Sequence, residues 1–262
     1  MLYVASILKG GLGNYLFQIA AGYAQALKHN KQYACVLKDV QVGHTPVKDY
    51  YSNILRNIIF LPGLKQYTIY QEPSYNFVAI PDFNYNVKLC GYFQSEKYFF
   101  NFKKQIKELF KIDNKTRAHL TDKYKLSTNT CSIHIRRGDY LKLQHVHPVI
   151  DIEYYKTAVD IIGKDKQYFV FSDDINWARN NLGFITNPTF ISDNKDYEDM
   201  YLMSMCYDNI IANSSFSWWG AWLNENESKT VIAPKNWFHP NYLTEFQDIY
   251  CPGWKILNNS LN

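Results

Sequence analysis

A short basic and acidic cluster stands out in the middle of the chain. It places His134, Arg136, Arg137 and Asp139 within one stretch of six residues. The planar guanidinium of arginine can grip two phosphate oxygens at once, whereas a lysine ammonium offers only a point charge. The cluster therefore predicts binding of an anionic group such as a phosphate. The alternative is a surface pair of arginines that local carboxylates neutralise.

The residues just before the cluster predict its place in the fold. Thr130–Ile135 alternates small or polar residues with apolar ones, as a buried strand does. Gly138 allows a tight turn afterwards. Ligands of open α/β sheets bind at the carboxyl ends of the strands, so the two arginines are predicted at a ligand-binding edge.

Near the start of the chain, a glycine-rich turn could also approach a ligand closely. Gly10, Gly11 and Gly13 lie between a strand predicted at Leu2–Leu8 and a helix predicted at Tyr15–His29. Glycines tolerate positive φ, and the start of a helix presents free N–H groups to negative charge. The spacing matches neither GxGxxG nor a Walker loop. A turn without a ligand is the alternative.

Two more polar clusters follow predicted strands. Ser214 and Ser215 are placed where a helix begins, so they could bind a phosphate or serve only as a cap. Asp173 or Asp174 could cap a helix, hold a metal, or accept hydrogen bonds from a purine or ribose.

No metal site is predicted. A metal is disfavoured at the aspartates because Arg136 and Arg137 would already neutralise a phosphate ligand. His145 and His147 have metal-like spacing, but no third ligand accompanies them in the loop around Pro148.

The second half of the chain alternates strands with helices, which predicts a parallel, doubly wound sheet. Strands are expected at 130–135, 167–171, 188–192, 209–213 and 230–233, the last of them closing the sheet, and helices at 151–162, 174–181, 196–207 and 216–224. In the first half, strands with loops are predicted for residues 44–100. A helical region is predicted for residues 95–126. A domain boundary is expected within about ten residues of position 128.

Composition indicates an ordinary globular protein with a mild positive charge. The chain has 262 residues, 47% of them hydrophobic, and a net charge of +4, which suits a small anionic ligand and does not call for nucleic acid. Five widely spaced cysteines indicate neither a disulfide scaffold nor a zinc site, and favour a reducing compartment. The apolar opening Met1–Leu8 lacks a basic leader and is too short for a signal peptide or a spanning helix.

Four motifs together resemble the α-1,2-fucosyltransferases of glycosyltransferase family eleven. They are Gly10-Gly-Leu-Gly-Asn-Tyr-Leu-Phe-Gln18, His134-Ile-Arg-Arg-Gly-Asp-Tyr140, Phe171-Ser-Asp-Asp174 and Asn213-Ser-Ser-Phe-Ser-Trp-Trp-Gly-Ala-Trp222. The first, second and fourth are specific, and the third is weak by itself. Tyr15 stands where the family usually has glutamine, a departure that leaves the turn intact.

The resemblance implies an α/β fold of the GT-B type, with two Rossmann-like domains facing across a cleft. Residues 1–128 would form the N-terminal domain on the acceptor side, and residues 129–262 the C-terminal domain on the GDP-fucose side. The implied reaction moves L-fucose from GDP-β-L-fucose to a galactose 2-hydroxyl of a glycan, with inversion and without metal or cofactor. Another inverting nucleotide-sugar transferase, or a non-catalytic carbohydrate-binding protein, is the alternative.

The resemblance also assigns roles to individual residues. In related protein-fucosylating and α-1,6 enzymes the first arginine of the basic motif holds the β-phosphate, which here is Arg136. Asn14 would face the donor, and Asp139 would act as base or orient Arg136, the latter being favoured. The expected nucleotide-binding residues are Gly11, Gly13, His134, Arg137, Asp173, Ser214, Ser215 and Phe216.

The expected partners are GDP-fucose and a glycan with terminal galactose, with no nucleic acid. The protein is expected in the cytoplasm without an integral membrane segment, and peripheral membrane contact is left open.

Overall fold

The structure is a computed structural model that describes residues 1–41 and 45–259. His44, where the segment predicted as strands with loops begins, lies outside them. The chain forms two compact units: the N-unit, Met1–Asp113 with Gln247–Cys251, and the C-unit, Asn114–Phe246 with the residues from Pro252 on. The sequence suggests a boundary near residue 128, whereas the compact units divide after Asp113. The helix that precedes the arginine strand therefore packs with the C-unit.

The N-unit is built on a parallel sheet of short strands. Its strands are β1 (Tyr3–Ser6), β2 (Gln32–Val36), β3 (Phe60–Leu61), β4 (Tyr67–Gln71) and β5 (Asn86–Cys90), and its helices are α1 (Leu12–Lys28) and α2 (Lys103–Leu109). The strand order is β3-β2-β1-β5-β4, and every neighbouring pair is parallel. Helix α1 starts directly after the glycine turn, and its Ala- and Leu-rich sequence is mostly buried.

The C-unit alternates strands and helices as the sequence predicts. Its helices are α3 (Asn114–Tyr124), α4 (Ile152–Ile162), α5 (Ile175–Asn181), α6 (Asp196–Met205) and α7 (Ser215–Leu223). Its strands are β6 (Thr130–Ile135), β7 (Gln167–Ser172), β8 (Thr189–Phe190), β9 (Asp208–Ile210), β10 (Val231–Pro234) and β11 (Lys255–Leu257). They form a parallel sheet in the order β11-β10-β9-β6-β7-β8.

The number of elements differs from the sequence prediction in two places. The strand expected to be last, β10, is followed by β11, whose three residues pair parallel to it at the sheet edge. The single helical region expected at 95–126 is divided into α2 and α3. The chain leaves the helical path between them, where Phe110 and Ile112 are buried in the core.

Each sheet has a point at which its strand order reverses. In the C-unit, β6 lies between β7 and β9, so the chain runs outward on one side of β6 and returns on the other. In the N-unit the reversal lies between β1 and β5. In open α/β sheets such switch points open a crevice at the carboxyl ends of the strands, where ligands bind. The arginine cluster follows β6, and the glycine turn follows β1.

The central strand of the C-unit lies in the core. All six residues of β6 are buried, as expected for a parallel strand covered on both faces. Trp218, Trp219 and Trp222 of α7 are buried beside each other and belong to this core. Among the described residues, no helix is long and apolar enough to cross a membrane.

Candidate functional site

The parallel register of β6 and β7 brings the arginines and aspartates together. Ile135 pairs with Ser172, so the next residues of the two strands leave the sheet side by side. The guanidinium of Arg136 lies between two carboxylates, with Nη2 2.6 Å from Asp139 Oδ1 and Nη1 2.9 Å from Asp173 Oδ2. Its carbon also lies 5.3 Å from the ring centre of Tyr140. This framework orients Arg136 while a quarter of its side chain remains exposed.

Arg137 has different partners. Its Nε lies 3.3 Å from Asp174 Oδ2, and its guanidinium carbon lies 4.0 Å from the ring centre of Trp177. Its backbone N–H donates to Asp173 Oδ1 at 2.8 Å. The two adjacent arginines are thus held by separate sets of side chains, and they need not serve the same ligand.

A glycine in the turn after β6 leaves room for the Asp173 carboxylate. A Cβ atom at Gly138 would lie 2.7 Å from Asp173 Oδ2, closer than van der Waals contact allows. A side chain there would push away the carboxylate that holds Arg136. The position of Gly138 in the motif therefore has a steric reason.

Tyr140 links the arginine turn to the loop after β9. Its hydroxyl donates to the carbonyl oxygen of Asn213 at 3.0 Å, and its ring stacks on His147 with centres 4.6 Å apart. Asn213 donates in turn to the carbonyl oxygens of Pro148 and Trp237. The loops on either side of the switch point are therefore fixed to one another.

His134 is a neutral, buried hydrogen-bonding group at the end of β6. Burial, aided by the positive charge of Arg136, lowers the pKa of His134 to about 3. Its ring lies 5.7 Å from the ring of Phe216, and its Nδ1 has no hydrogen-bond partner among the described residues. An unpaired polar atom in a buried position is costly, so this nitrogen is a candidate contact for a ligand or an ordered water.

Helix α7 follows the short loop after β9, and its first turn lies at this edge of the sheet, where the ring of Phe216 is close to His134. Ser214 is its N-cap, and the serine hydroxyl accepts a hydrogen bond from Phe216 N–H at 3.3 Å. The cap predicted from the sequence is confirmed. The N–H groups of a first helical turn lack intrahelical acceptors, and with the helix dipole they favour an anion. The hydroxyl of Ser215, half-buried beside them, has no partner among the described residues.

In the N-unit, the glycine turn shapes the position of Asn14. Gly10 has a φ of +87°, and a Cβ atom on it would lie 2.4 Å from the side-chain nitrogen of Asn14. Gly11 is the N-cap residue of α1 and accepts from the N–H groups of Asn14 and Tyr15. Gly13 is buried in the first turn. The turn thus lets the Asn14 side chain lie against bare backbone.

Two side chains outside the predicted set hold this turn in place. The amide of Gln18 accepts from Lys9 N–H at 3.0 Å and donates to the Lys9 carbonyl at 3.1 Å. Gln94, which follows β5, donates to Asn14 Oδ1 at 2.8 Å. The Gln94 contact crosses the switch point between β1 and β5.

Glu72 holds the backbone just before Gln94. Its carboxylate accepts the N–H groups of Tyr92 and Phe93, the latter in a left-handed conformation with φ of +52°. Burial raises the pKa of Glu72 even though these donors favour its charged form. Nothing in its sequence context marks Glu72, because the contact joins residues that are twenty positions apart.

The predicted residues therefore lie in two groups. The C-unit group contains His134, Arg136, Asp139, Asp173, Ser214, Ser215 and Phe216 at the β6–β9 switch point, with Arg137 turned toward Trp177. The N-unit group contains Gly11, Gly13 and Asn14. Asp174 caps α5 by accepting from Trp177 N–H at 3.1 Å. Within residues 1–41 and 45–259, no group of three histidine, cysteine or acidic side chains is placed to hold a metal ion.

Solved structures with a similar fold include fucosyltransferases. A fucosyltransferase NodZ from Bradyrhizobium matches with a TM-score of 0.56 and 13% identity over 84% of this chain and 91% of that one. The NodZ α-1,6-fucosyltransferase soaked with GDP-fucose matches with a TM-score of 0.58 and 14% identity over 85% and 92%. At this identity the likeness shows the fold alone. It confirms the α/β fold of the GT-B type.

Similarity in sequence extends over nearly the whole chain. An α-1,2-colitosyltransferase of Escherichia coli is 31% identical, with 96% of this chain and 97% of the relative covered. The O-antigen biosynthesis glycosyltransferase WbnK of Escherichia coli is 32% identical over 90% and 95%. The family model of glycosyl transferase family 11 matches residues 8–258, a span that holds all four motifs. The chain therefore belongs to glycosyl transferase family 11.

Proposed function

We propose that this protein transfers L-fucose from GDP-β-L-fucose to a glycan, at the 2-hydroxyl of a terminal galactose, with inversion and without a metal. Membership of the family supports glycosyl transfer. The observation that carries the choice of a nucleotide diphosphate donor is Arg136, held between Asp139 and Asp173 beside the start of α7. We propose that this action takes place in the cytoplasm.

The geometry suits stabilisation of a leaving diphosphate. Cleavage of the sugar–phosphate bond builds negative charge on GDP and positive charge on the sugar ring. Arg136 and the first-turn N–H groups of α7 are preorganised donors for that negative charge. Such donors typically contribute about 10²–10³ each to the rate. They would perform the neutralisation that a divalent ion performs in other transferases.

The remaining nucleotide contacts are proposed at the same edge of the sheet. We propose that Ser214 and Ser215 bind phosphate oxygens, and that Phe216 and the neutral ring of His134 contact the guanosine. Asp173 serves Arg136 and could also reach the guanosine. In the N-unit, Asn14, flanked by Gly11 and Gly13, is proposed to contact the donor.

A second donor deserves direct comparison because a relative is named a colitosyltransferase. Colitose is L-fucose without the 3-hydroxyl group. A site built to bind that hydroxyl strongly rejects the sugar that lacks it, whereas a site that merely accommodates the hydroxyl discriminates weakly. The choice between GDP-fucose and GDP-colitose therefore depends on the contacts of one hydroxyl group.

The proposed function is tested with a donor panel. Purified protein is offered GDP-fucose, GDP-colitose, GDP-mannose and UDP-galactose together with lactose, and products are identified by mass spectrometry and NMR. We expect transfer of fucose in α-1,2 linkage, unchanged in EDTA. Loss of activity in EDTA that Mn²⁺ restores would contradict the metal-free proposal. Faster transfer from GDP-colitose would mean that GDP-colitose, and not GDP-fucose, is the donor. Glycan binding without affinity for GDP would indicate a non-catalytic protein.

Replacement of Asp139 by asparagine separates its two candidate roles. Asparagine keeps an oxygen that can accept from Arg136 but cannot take up a proton. If Asp139 orients Arg136, as its 2.6 Å contact favours, single-turnover transfer should fall only about tenfold. If Asp139 is the base, the rate should fall by about 10³ or more. The pH profile of the remaining activity should then no longer decline at low pH. Rapid-quench measurements between pH 5 and 9 distinguish the two outcomes.

A further inference from the structure

A large cavity lies in the C-unit beside the arginine cluster. Its volume is about 770 Å³, which is within the range of small-molecule sites. Its walls come from the turn and loop after β6, from helix α5 and from the loop after β10. Arg137 lines it, whereas Arg136, Asp173, Ser214 and Phe216 do not. The cavity is therefore distinct from the proposed diphosphate site, although adjacent arginines border the two.

Arg137 is presented to this cavity as a fixed planar group. The ring of Trp177 and the carboxylate of Asp174 hold it, and only 16% of its side chain is exposed. Its terminal nitrogens make no hydrogen bond to a described residue, in contrast to those of Arg136. A ligand in the cavity could therefore accept hydrogen bonds from the free N–H groups of this immobilised guanidinium.

The cavity walls combine aromatic rings, aliphatic side chains and neutral polar groups. Trp177 and Tyr242, the latter half exposed, supply apolar ring surface. Asn181, Asn241 and His239 supply both donors and acceptors. The loop after β10 is fixed to the loop after β6 by the bond from His239 N–H to the Val146 carbonyl.

Charge argues against a small anion as the occupant. Besides histidines, the lining carries one positive and one negative group, Arg137 and Asp151, which cancel formally. Asp151 is already engaged as the N-cap of α4, accepting from the N–H groups of Glu153 and Tyr154. A neutral ligand with many hydroxyl groups and apolar ring faces matches such a wall.

From these features we propose that the cavity binds the acceptor oligosaccharide, at sugar residues beyond the galactose that receives the fucose. The proposal rests on the proposed function for the identity of the ligand. It assigns Arg137 to the acceptor and Arg136 to the donor, and it places part of acceptor recognition in the C-unit. Trp177 and Tyr242 contact sugar ring faces, and Arg137 with the two asparagines binds hydroxyl groups.

The test compares two acceptors that share a terminal galactose: methyl β-galactoside and a galactose-ended tetrasaccharide. Tyr242→Ala should raise the KM for the tetrasaccharide about tenfold, as expected for loss of an aromatic contact. The KM for methyl β-galactoside and for GDP-fucose should stay within about twofold. Asn241→Ala should act in the same direction. The control is Ile161→Ala, which removes a similarly exposed apolar side chain of α4 outside the cavity lining.

A binding measurement keeps this inference separate from the proposed reaction. The tetrasaccharide is titrated into the protein without donor, and saturation-transfer NMR reports which of its sugars make contact. Contacts on internal sugars that Tyr242→Ala weakens support the proposal, even if no donor is turned over. Equal effects on both acceptors, contacts confined to the terminal galactose, or a raised KM for GDP-fucose would overturn it. Binding of inorganic pyrophosphate that depends on Tyr242 would identify an anion site instead.

Discussion

Conversion of Arg136 to lysine is expected to lower kcat for transfer about 10³-fold, nearly as much as conversion to alanine. The guanidinium uses Nη1 and Nη2 for two carboxylates at once, and a lysine ammonium cannot reproduce that planar spread. In the lysine variant, the negative charge that develops on the leaving diphosphate loses a preorganised hydrogen-bond donor. Loss of one such donor typically lowers the rate by about 10²–10³. Steady-state kinetics with GDP-fucose and calorimetric titration of GDP measure the loss.

Arg117→Lys provides the matched control, because Arg117 is an exposed arginine of α3 in the same unit. Circular dichroism and thermal melting of each variant establish that the fold is retained. Near-normal turnover of Arg136→Lys would show that a point charge is sufficient there. That result would contradict the proposal that the planar guanidinium of Arg136 contacts the diphosphate.

Conversion of Gly10 to alanine should lower both activity and stability. The added Cβ would lie 2.4 Å from the side-chain nitrogen of Asn14, so this amide must move. Misplacement of a functional group by about 1 Å can cost about 10² in rate. The positive φ of Gly10 adds a backbone cost of about 1–2 kcal/mol for a residue with a side chain.

Gly253→Ala separates the steric effect from the backbone effect. Gly253 has nearly the same φ, +84° against +87°, but a Cβ atom there meets nothing within 4 Å. Both variants should therefore lose stability in urea unfolding, whereas only Gly10→Ala should lose about 10² in kcat. Equal kcat values for the two variants would remove Asn14 from the catalytic set.

Long, periodic elements of the fold were predictable from the sequence, and very short ones were not. The strand at Thr130–Ile135 and the helix at 152–162 were predicted to within a residue. Strand β3 has two residues and β11 has three, too few for any periodicity to show. Such strands form because the sheet offers them partners, which is a tertiary effect.

The residue types at the site were predictable, but their pairing was not. The arginine cluster and the serine cap follow from local patterns. The contact of Arg136 with Asp173 depends on the register of β6 against β7, and that of Gln94 with Asn14 joins residues eighty positions apart. The different environments of Arg136 and Arg137 were likewise not predictable, because they depend on where Trp177 lies in the folded protein.

The short contact between Arg136 and Asp139 has a consequence for turnover. Both Asp139 and a bound diphosphate would compete for the same guanidinium nitrogen. We therefore propose that Asp139 is an internal competitor that weakens the binding of GDP and speeds its release after transfer. We expect GDP to dissociate several-fold more slowly from Asp139→Asn than from the unmodified protein, and stopped-flow displacement of a fluorescent GDP analogue measures this rate. An unchanged rate would mean that carboxylate and product occupy Arg136 independently.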